Sequence, residues 1–338
     1  MHCVISLFFT PDIYRDVARC YAWYAREFGR GVWHDVPISF LPPLTIFLAG
    51  NLVSLGLEAY AAVKLVSLFF FVLTLLPLYR LLKYLGEGKA ACWGCLLFIA
   101  APRLLRYSGM ALLEPVRDFF LVSAVCLLVK GWKKGIKLTD SLLLGVSLGF
   151  MSLARSEGIM LAFFLLCARC YLPEGNRTMK SFLKSLLPAG IMMAVVLLPA
   201  AIHNCRLTGY PVLDQRMNGV LANCPGLGKL FKAKEFAFEN LVKTGQLRID
   251  DEAPGKEEED KAENALERLE VLPQKIFRGG YELYICAAAL GVLVLILRGE
   301  WKKEHSFLLG YCLVTPLPFI FFSVSSRYFL YFIPLLMV

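Results

Sequence analysis

Apolar runs separated by short charged or Pro- and Gly-containing breaks follow one another along most of the chain. Eight of them lie near Tyr60 to Tyr79, Ala90 to Leu105, Met110 to Val129, Leu138 to Ala154, Gly158 to Leu172, Leu186 to Ile202, Tyr281 to Leu297 and Phe307 to Val324. A hydrocarbon core about 30 Å thick takes roughly 20 helical residues to cross, so the runs predict membrane-spanning helices, with soft boundaries where a run is shorter. Leu41 to Leu57 is different: it opens with Pro42 and Pro43, carries Thr45, Asn51 and Ser54, and leaves almost no turn before the span at Tyr60. It either crosses the bilayer or lies along the outer interface, and its polarity favours the interface. Met1 to Thr10 is apolar but too short to span, and it lacks the basic start and small-residue cleavage site of a secretory signal. Together with an apolar run still in progress at Arg327 to Val338, this predicts a missing or clipped first helix and a cut C-terminus.

Composition agrees with the pattern. Hydrophobic residues make up 57% of the chain and mean hydropathy is +0.59, more than the core of a soluble domain of this length needs. The expected fold is all-α, a polytopic transmembrane bundle forming a single membrane domain over residues 1–338. Within it, residues 1–59 form a first outer loop with juxtamembrane helices, 60–202 the bundle core, 203–280 one large extracytoplasmic loop, and 281–338 the C-terminal spans. The net charge of +9 is spread over short loops instead of gathered on one element, which argues against nucleic acid as a partner and for membrane orientation. Arg80, Lys83 and Lys89, then Lys130, Lys133, Lys134 and Lys137, then Arg169, Arg177, Lys180 and Lys184, then Arg298, Lys302 and Lys303 fill four alternate loops that contain only Glu87, Glu174, Glu300 and Glu304 as acids. An excess of lysine and arginine marks cytoplasmic loops.

The loops between these therefore face outward, and they carry polar and charged residues at span ends: Arg103, Arg106 and Glu114, then Arg155 and Glu157, then everything from His203 to Gly280, then Ser325, Ser326 and Arg327. A charge at a helix centre costs roughly 2.5 to 3.5 kcal/mol, so a charge near a span needs water, a partner or a task. The stretch TPDIYRDVARCYAWYARE, Thr10 to Glu27, adds Asp12 and Asp16 among arginines and aromatics. If Leu41 to Leu57 lies along the outer interface, Asp16 shares a compartment with the other outward charges; if it spans, Asp16 does not.

Several segments, taken in order, resemble the polytopic C-type (GT-C) glycosyltransferases that use polyprenyl-phosphate sugars, the group of the protein O-mannosyltransferases and the lipid A aminoarabinose transferases. They are DIYRD with Asp12 and Asp16, the Pro42-Pro43-Leu44 segment, the turn from Gly109 to Pro115 that contains Glu114, the Leu-Ala-Arg-Ser-Glu-Gly run from Leu153 to Gly158, and Ser326-Arg327-Tyr328 leading to Pro334. The resemblance covers nearly the whole chain except the loop from Arg206 to Gly280, and order and topology carry it, since each motif alone is weak. It implies a GT-C-like bundle with an outer-face juxtamembrane helix, and an inverting sugar transfer on the extracytoplasmic face. The implied donor is a polyprenyl-phosphate-linked sugar held in membrane lipid, with no cofactor and no metal; sugar and acceptor stay unassigned. Asp16 is the implied general base, with Asp12 the alternative carboxylate and Glu114 the acidic partner. Arg155 and Arg327, and after them Arg103 and Arg106, are implied contacts to the lipid phosphate, with Glu157 and Tyr328 beside them. The chemistry is sound, because a carboxyl near apolar surface and a second carboxylate titrates closer to the range of a base, and arginine suits bidentate contact with a phosphate. The setting is a multi-pass cell membrane protein, a bacterial inner membrane before the endoplasmic reticulum.

Plainer readings stand beside these. Asp16 pairs equally well with Arg15 or Arg19 on a solvated helix; Glu114 before Pro115 suits an ordinary helix start; Arg155 with Glu157 suits a structural ion pair; Arg327 suits a snorkelling anchor. Arg103, Arg106 and Arg117 are more often anchors than ligands. A transporter or flippase-like protein, which predicts charges deep within spans and an internal repeat, or an inactive lipid-binding truncated relative, is the alternative function. Of the eleven cysteines, Cys92 with Cys95 and Cys167 with Cys170 have CxxC spacing inside apolar runs, where small buried residues are the usual role. Cys205 and Cys224 share the outer loop and can form a disulfide if that compartment is oxidising. No Asp-x-Asp pair typical of metal-dependent nucleotide-sugar transferases is present.

Overall fold

The computed structural model describes residues 21–31, 43–86, 88–101, 110–135, 137–155, 157–170, 179–208, 282–299 and 303–314, and every described regular element is helical. In chain order these are α1 (Ala22–Gly29), α2 (Pro43–Ser54), α3 (Ala59–Leu73), α4 (Leu75–Leu85), α5 (Gly88–Ala100), α6 (Glu114–Lys134), α7 (Leu138–Ala154), α8 (Gly158–Cys170), α9 (Met179–Thr208), α10 (Glu282–Leu297) and α11 (Lys303–Val314). Ala59–Leu85 and Leu186–Arg206 are long and apolar enough to cross a membrane.

Each predicted span has a helix, and the shifted ends have local causes. The first run is divided at Thr74, three residues before Pro77; proline lacks the N–H and crowds the carbonyl four residues back, which here belongs to Leu73. Thr74 eases the junction by donating its hydroxyl to the Phe70 carbonyl at 2.7 Å. Expected to begin at Met110, α6 begins instead at Glu114 because the preceding turn holds Ala111 at φ 56. It then continues through the lysines, good helix formers, to Gly135 at φ 80. The Leu41 to Leu57 segment is helical over the 12 residues of α2, about 18 Å long at 1.5 Å per residue. That length is short of a hydrocarbon core. Cys205 is a free thiol, and Cys224 lies outside the described residues.

The bundle core is made by α3 to α9. The most extensive packing is α7 on α9 and α6 on α7, and glycine permits the first: a Cβ at Gly145 would strike the Ala189 carbonyl oxygen, and one at Gly149 would stand 2.7 Å from Val196 Cβ. Gly145 and Gly149 are four apart on one face, the small-residue spacing by which membrane helices approach closely. On the other side of α6, phenylalanines link the helices. Phe70 of α3 meets Phe119 and Phe120 at 5.4 and 5.8 Å, and Phe120 meets Phe150 of α7 at 5.2 Å. Because Val63 and Val66 cluster with Leu113 and Val116 while Phe70 pairs farther along, α3 and α6 run parallel, and α7 returns antiparallel.

The short α1 and α2 pack against each other and against α3 at the end where α3 and α6 begin. Phe28 and Phe47 meet edge to face at 5.3 Å, and the Gly29 and Gly50 positions admit no side chain against Val53 and Phe28. Tyr21, Tyr24 and Ala25 thereby join Ile46, Ala49, Val63, Met110 to Leu113, Val116 and Ala154 in one buried cluster.

Candidate functional site

Two adjoining turns bring charge to that cluster. Leu113 leads into Glu114 at the start of α6, and Ala154 leads into Arg155 at the end of α7. Gly158 closes the second turn: a Cβ there would strike the Met151 carbonyl and stand 2.9 Å from Ser152 Cα, so the chain folds directly under α7 and presents Glu157 inward.

Five charged side chains meet there, all buried: Glu114, Arg117, Asp118, Arg155 and Glu157. Arg117 is 0% exposed. Its Nη1 donates to Glu157 Oε1 at 2.9 Å, its Nε donates to Asp118 Oδ1 at 2.9 Å, and its Nη2 lies 2.8 Å from the same oxygen. Arg155 Nε donates to Glu157 Oε1 at 2.8 Å, and Arg155 Nη1 stands 3.4 Å from Glu114 Oε1. Glu157 is thus the hub, one carboxylate between two guanidiniums. Burial pushes its carboxyl up, but Arg155 and Arg117 outweigh that and hold it down at about 2. Two guanidiniums against three carboxylates leave one negative charge in excess when all are ionised.

Among the residues expected from sequence, the structure gathers Glu114, Arg155 and Glu157. Asp12, Asp16, Arg103, Arg106, Arg327 and Tyr328 lie outside the described residues. Arg117 and Asp118 complete the cluster, and sequence reading gave them no such part. Their position in the first two turns of α6, beside Glu114, was the available signal. Lys64 was also passed over. It lies on α3, is 2% exposed, and its Nζ is 5.9 Å from the Tyr60 ring centre. At 1.5 Å per residue, Lys64 stands about 8 Å inside the start of α3 and Asp118 about 6 Å inside the start of α6. The buried charges of both parallel helices therefore crowd the same end.

Beside this end, a cavity of about 350 Å³ opens between α1, α2, α7 and α9. Its wall is apolar, with Phe28, Phe47, Phe150, Leu153, Val196 and Pro199, and its titratable side chains are Tyr24, Glu27 and His203. Among the described residues, no three His, Cys, Asp or Glu side chains are placed to hold a metal ion.

No protein-family model and no curated protein matches the sequence. Among solved structures, the chain is similar to the Archaeoglobus fulgidus oligosaccharyltransferase in complex with zinc and sulfate, at a TM-score of 0.55 and 16% identity over 99% of this chain and 47% of that one. The apo form of the same oligosaccharyltransferase gives 0.52 and 16% over 99% and 48%. The chain spans about half the length of these structures. The likeness shows the fold, an all-helical arrangement of the C-type glycosyltransferase kind.

Proposed function

We propose that the chain is a membrane glycosyltransferase that moves a sugar from a polyprenyl-phosphate-linked donor to an acceptor on the extracytoplasmic face. The observation that carries the reading is the gathering of Glu114, Arg117, Asp118, Arg155 and Glu157 at one end of a bundle that shares the oligosaccharyltransferase fold over 99% of its length. The five buried charges gather at one end of the bundle, which favours an interfacial site over a transport path.

Covalent geometry supports Asp16 as the base. Five residues along from it, Tyr21 is packed in the same apolar cluster as Leu113 and Ala154, and such a tether spans at most about 18 Å. Asp12 remains the second carboxylate. In the proposed step the base takes the proton of the acceptor hydroxyl as its oxygen attacks the anomeric carbon. The bond from that carbon to the phosphate oxygen breaks, its electron pair leaves with the phosphate, and the configuration inverts. Fixed cations stabilise the leaving phosphate; Arg327, Arg103 and Arg106 are candidates, with Arg155 as the cation that bridges to Glu114. The apolar cavity suits the isoprenoid chain of the donor, and the two helices long and apolar enough to cross a membrane support a membrane setting, which we read as multi-pass.

The test is transfer from a synthetic polyprenyl-phosphate sugar in membranes carrying the protein. We expect Asp16→Asn to reduce the rate at least a hundredfold, the span of general-base contributions, and Asp12→Asn to reduce it less. Unchanged rates in both variants would remove the assignment.

A further inference from the structure

The opposite end of the bundle carries a second constellation that sugar transfer does not use. Helix α4 supplies Arg80 and Lys83, α5 supplies Lys89, and α6 supplies Lys134, all exposed. Packing of α4 on both α5 and α6 brings them together, and Lys134 Nζ lies 5.2 Å from the centre of the Tyr84 ring. Asp140 at this end is buried and engaged by Lys130 at 2.7 Å, and Glu304 stands on α11, one turn before the Phe307 that meets Trp132. The exposed charges described on α4, α5 and this end of α6 are all cationic.

The cations alternate with aromatic side chains at helical spacing. Tyr79 with Lys83, Arg80 with Tyr84, and Lys89 with Trp93 are each four residues apart, neighbours on a helix surface. Trp93 is 68% exposed although it is the largest apolar ring on α5. Tyrosine and tryptophan settle at headgroup depth because one end of each ring is apolar and the other wet. Toward the bundle centre, the same two helices expose leucines instead: Leu76 on α4, and Leu96 and Leu97 on α5. Read along α5 the surface passes from apolar to aromatic to cationic, and on α4 the leucine likewise gives way to tyrosines and cations, the order of zones from acyl chain to headgroup.

We propose that this end is a binding surface for anionic phospholipids, with the headgroup phosphate among Lys83, Lys89 and Lys134 and the acyl chains along Leu76, Leu96 and Leu97. Each lysine near an anionic leaflet contributes roughly a fivefold gain in affinity, so three together separate an anionic from a zwitterionic lipid.

Native mass spectrometry of the full chain released from nanodiscs tests this, using phosphatidylcholine alone or mixed with phosphatidylglycerol. Phosphatidylglycerol should be retained in preference. The triple change Lys83→Gln, Lys89→Gln and Lys134→Gln should cut that retention at least tenfold, while the corresponding arginine variant keeps it. Equal retention of the two lipids, or retention unaffected by the glutamine changes, overturns the proposal. Displacement of the lipid by millimolar inorganic phosphate alone would also overturn it, by showing a site for free phosphate. Transfer activity is a separate readout, so this surface and the proposed enzyme activity fail independently.

Discussion

Glu114 and Lys134 close the two ends of one 21-residue helix, about 30 Å apart, and the ionic contacts at those ends are built differently. At the Glu114 end, five charged side chains from α6 and the α7–α8 turn are shut away from solvent and share partners. At the Lys134 end, Lys130 pairs with Asp140 and stays about a third exposed, and Lys133 and Lys134 lie at the surface. The same residue types thus do unlike work. Sealed charges must be matched, because one partner removed strands another in a medium that cannot solvate it. Solvated charges need no match and stay available for a phosphate.

The sharpest way to break this contrast is Arg117→Met. It leaves Glu157 and Asp118 without their shared guanidinium, and we expect a loss of about 3 to 5 kcal/mol, read as a lowered unfolding midpoint in detergent. An equal, small effect at both ends of α6 would mean that the buried cluster is wetter than the structure shows. Next in size is the packing that holds α7 in place: Gly149→Leu should cost about 1 to 3 kcal/mol by forcing α7 and α9 apart, measured the same way. Lys130→Met should cost about 1 kcal/mol, since the lysine is partly solvated but its acid partner is buried.

The smallest and most specific effect is in acid. Because the folded state holds the Glu157 carboxyl below its ordinary value, the stability it contributes is fully present above about 4.5 and is lost as pH falls toward about 2. Stability of the wild type should therefore be flat in this respect from neutral pH to about 5 and decline below. Glu157→Gln should begin less stable at neutral pH and decline less steeply in acid. Identical acid profiles would show that Glu157 is not the hub.

Hydrophobic run length was enough to find every described core helix, because a helix that must bury or insert an apolar stretch leaves a long uninterrupted signal. Ends were less legible where a backbone effect decides them: Pro77 acting on Leu73, or Ala111 in a left-handed turn that nothing in its side chain announces. The site was half visible. Glu114, Arg155 and Glu157 stand at run ends, where a charge is conspicuous. Arg117, Asp118 and Lys64 lie a turn or two inside, where each is read as one polar residue within a span until three-dimensional packing shows them at the same end. The spacing of Gly145 and Gly149 was plain in the sequence, but its meaning depends on α9, some forty residues away, lying across it.

Impermeant thiol labelling at opposite ends tests the arrangement most directly. In intact cells, with the native exposed cysteines replaced by serine, Asp16→Cys should react with a reagent added outside, and Lys133→Cys should react only after the membrane is opened. Labelling of both positions from the same side would contradict an extracytoplasmic charge cluster served by the acidic segment that precedes α1.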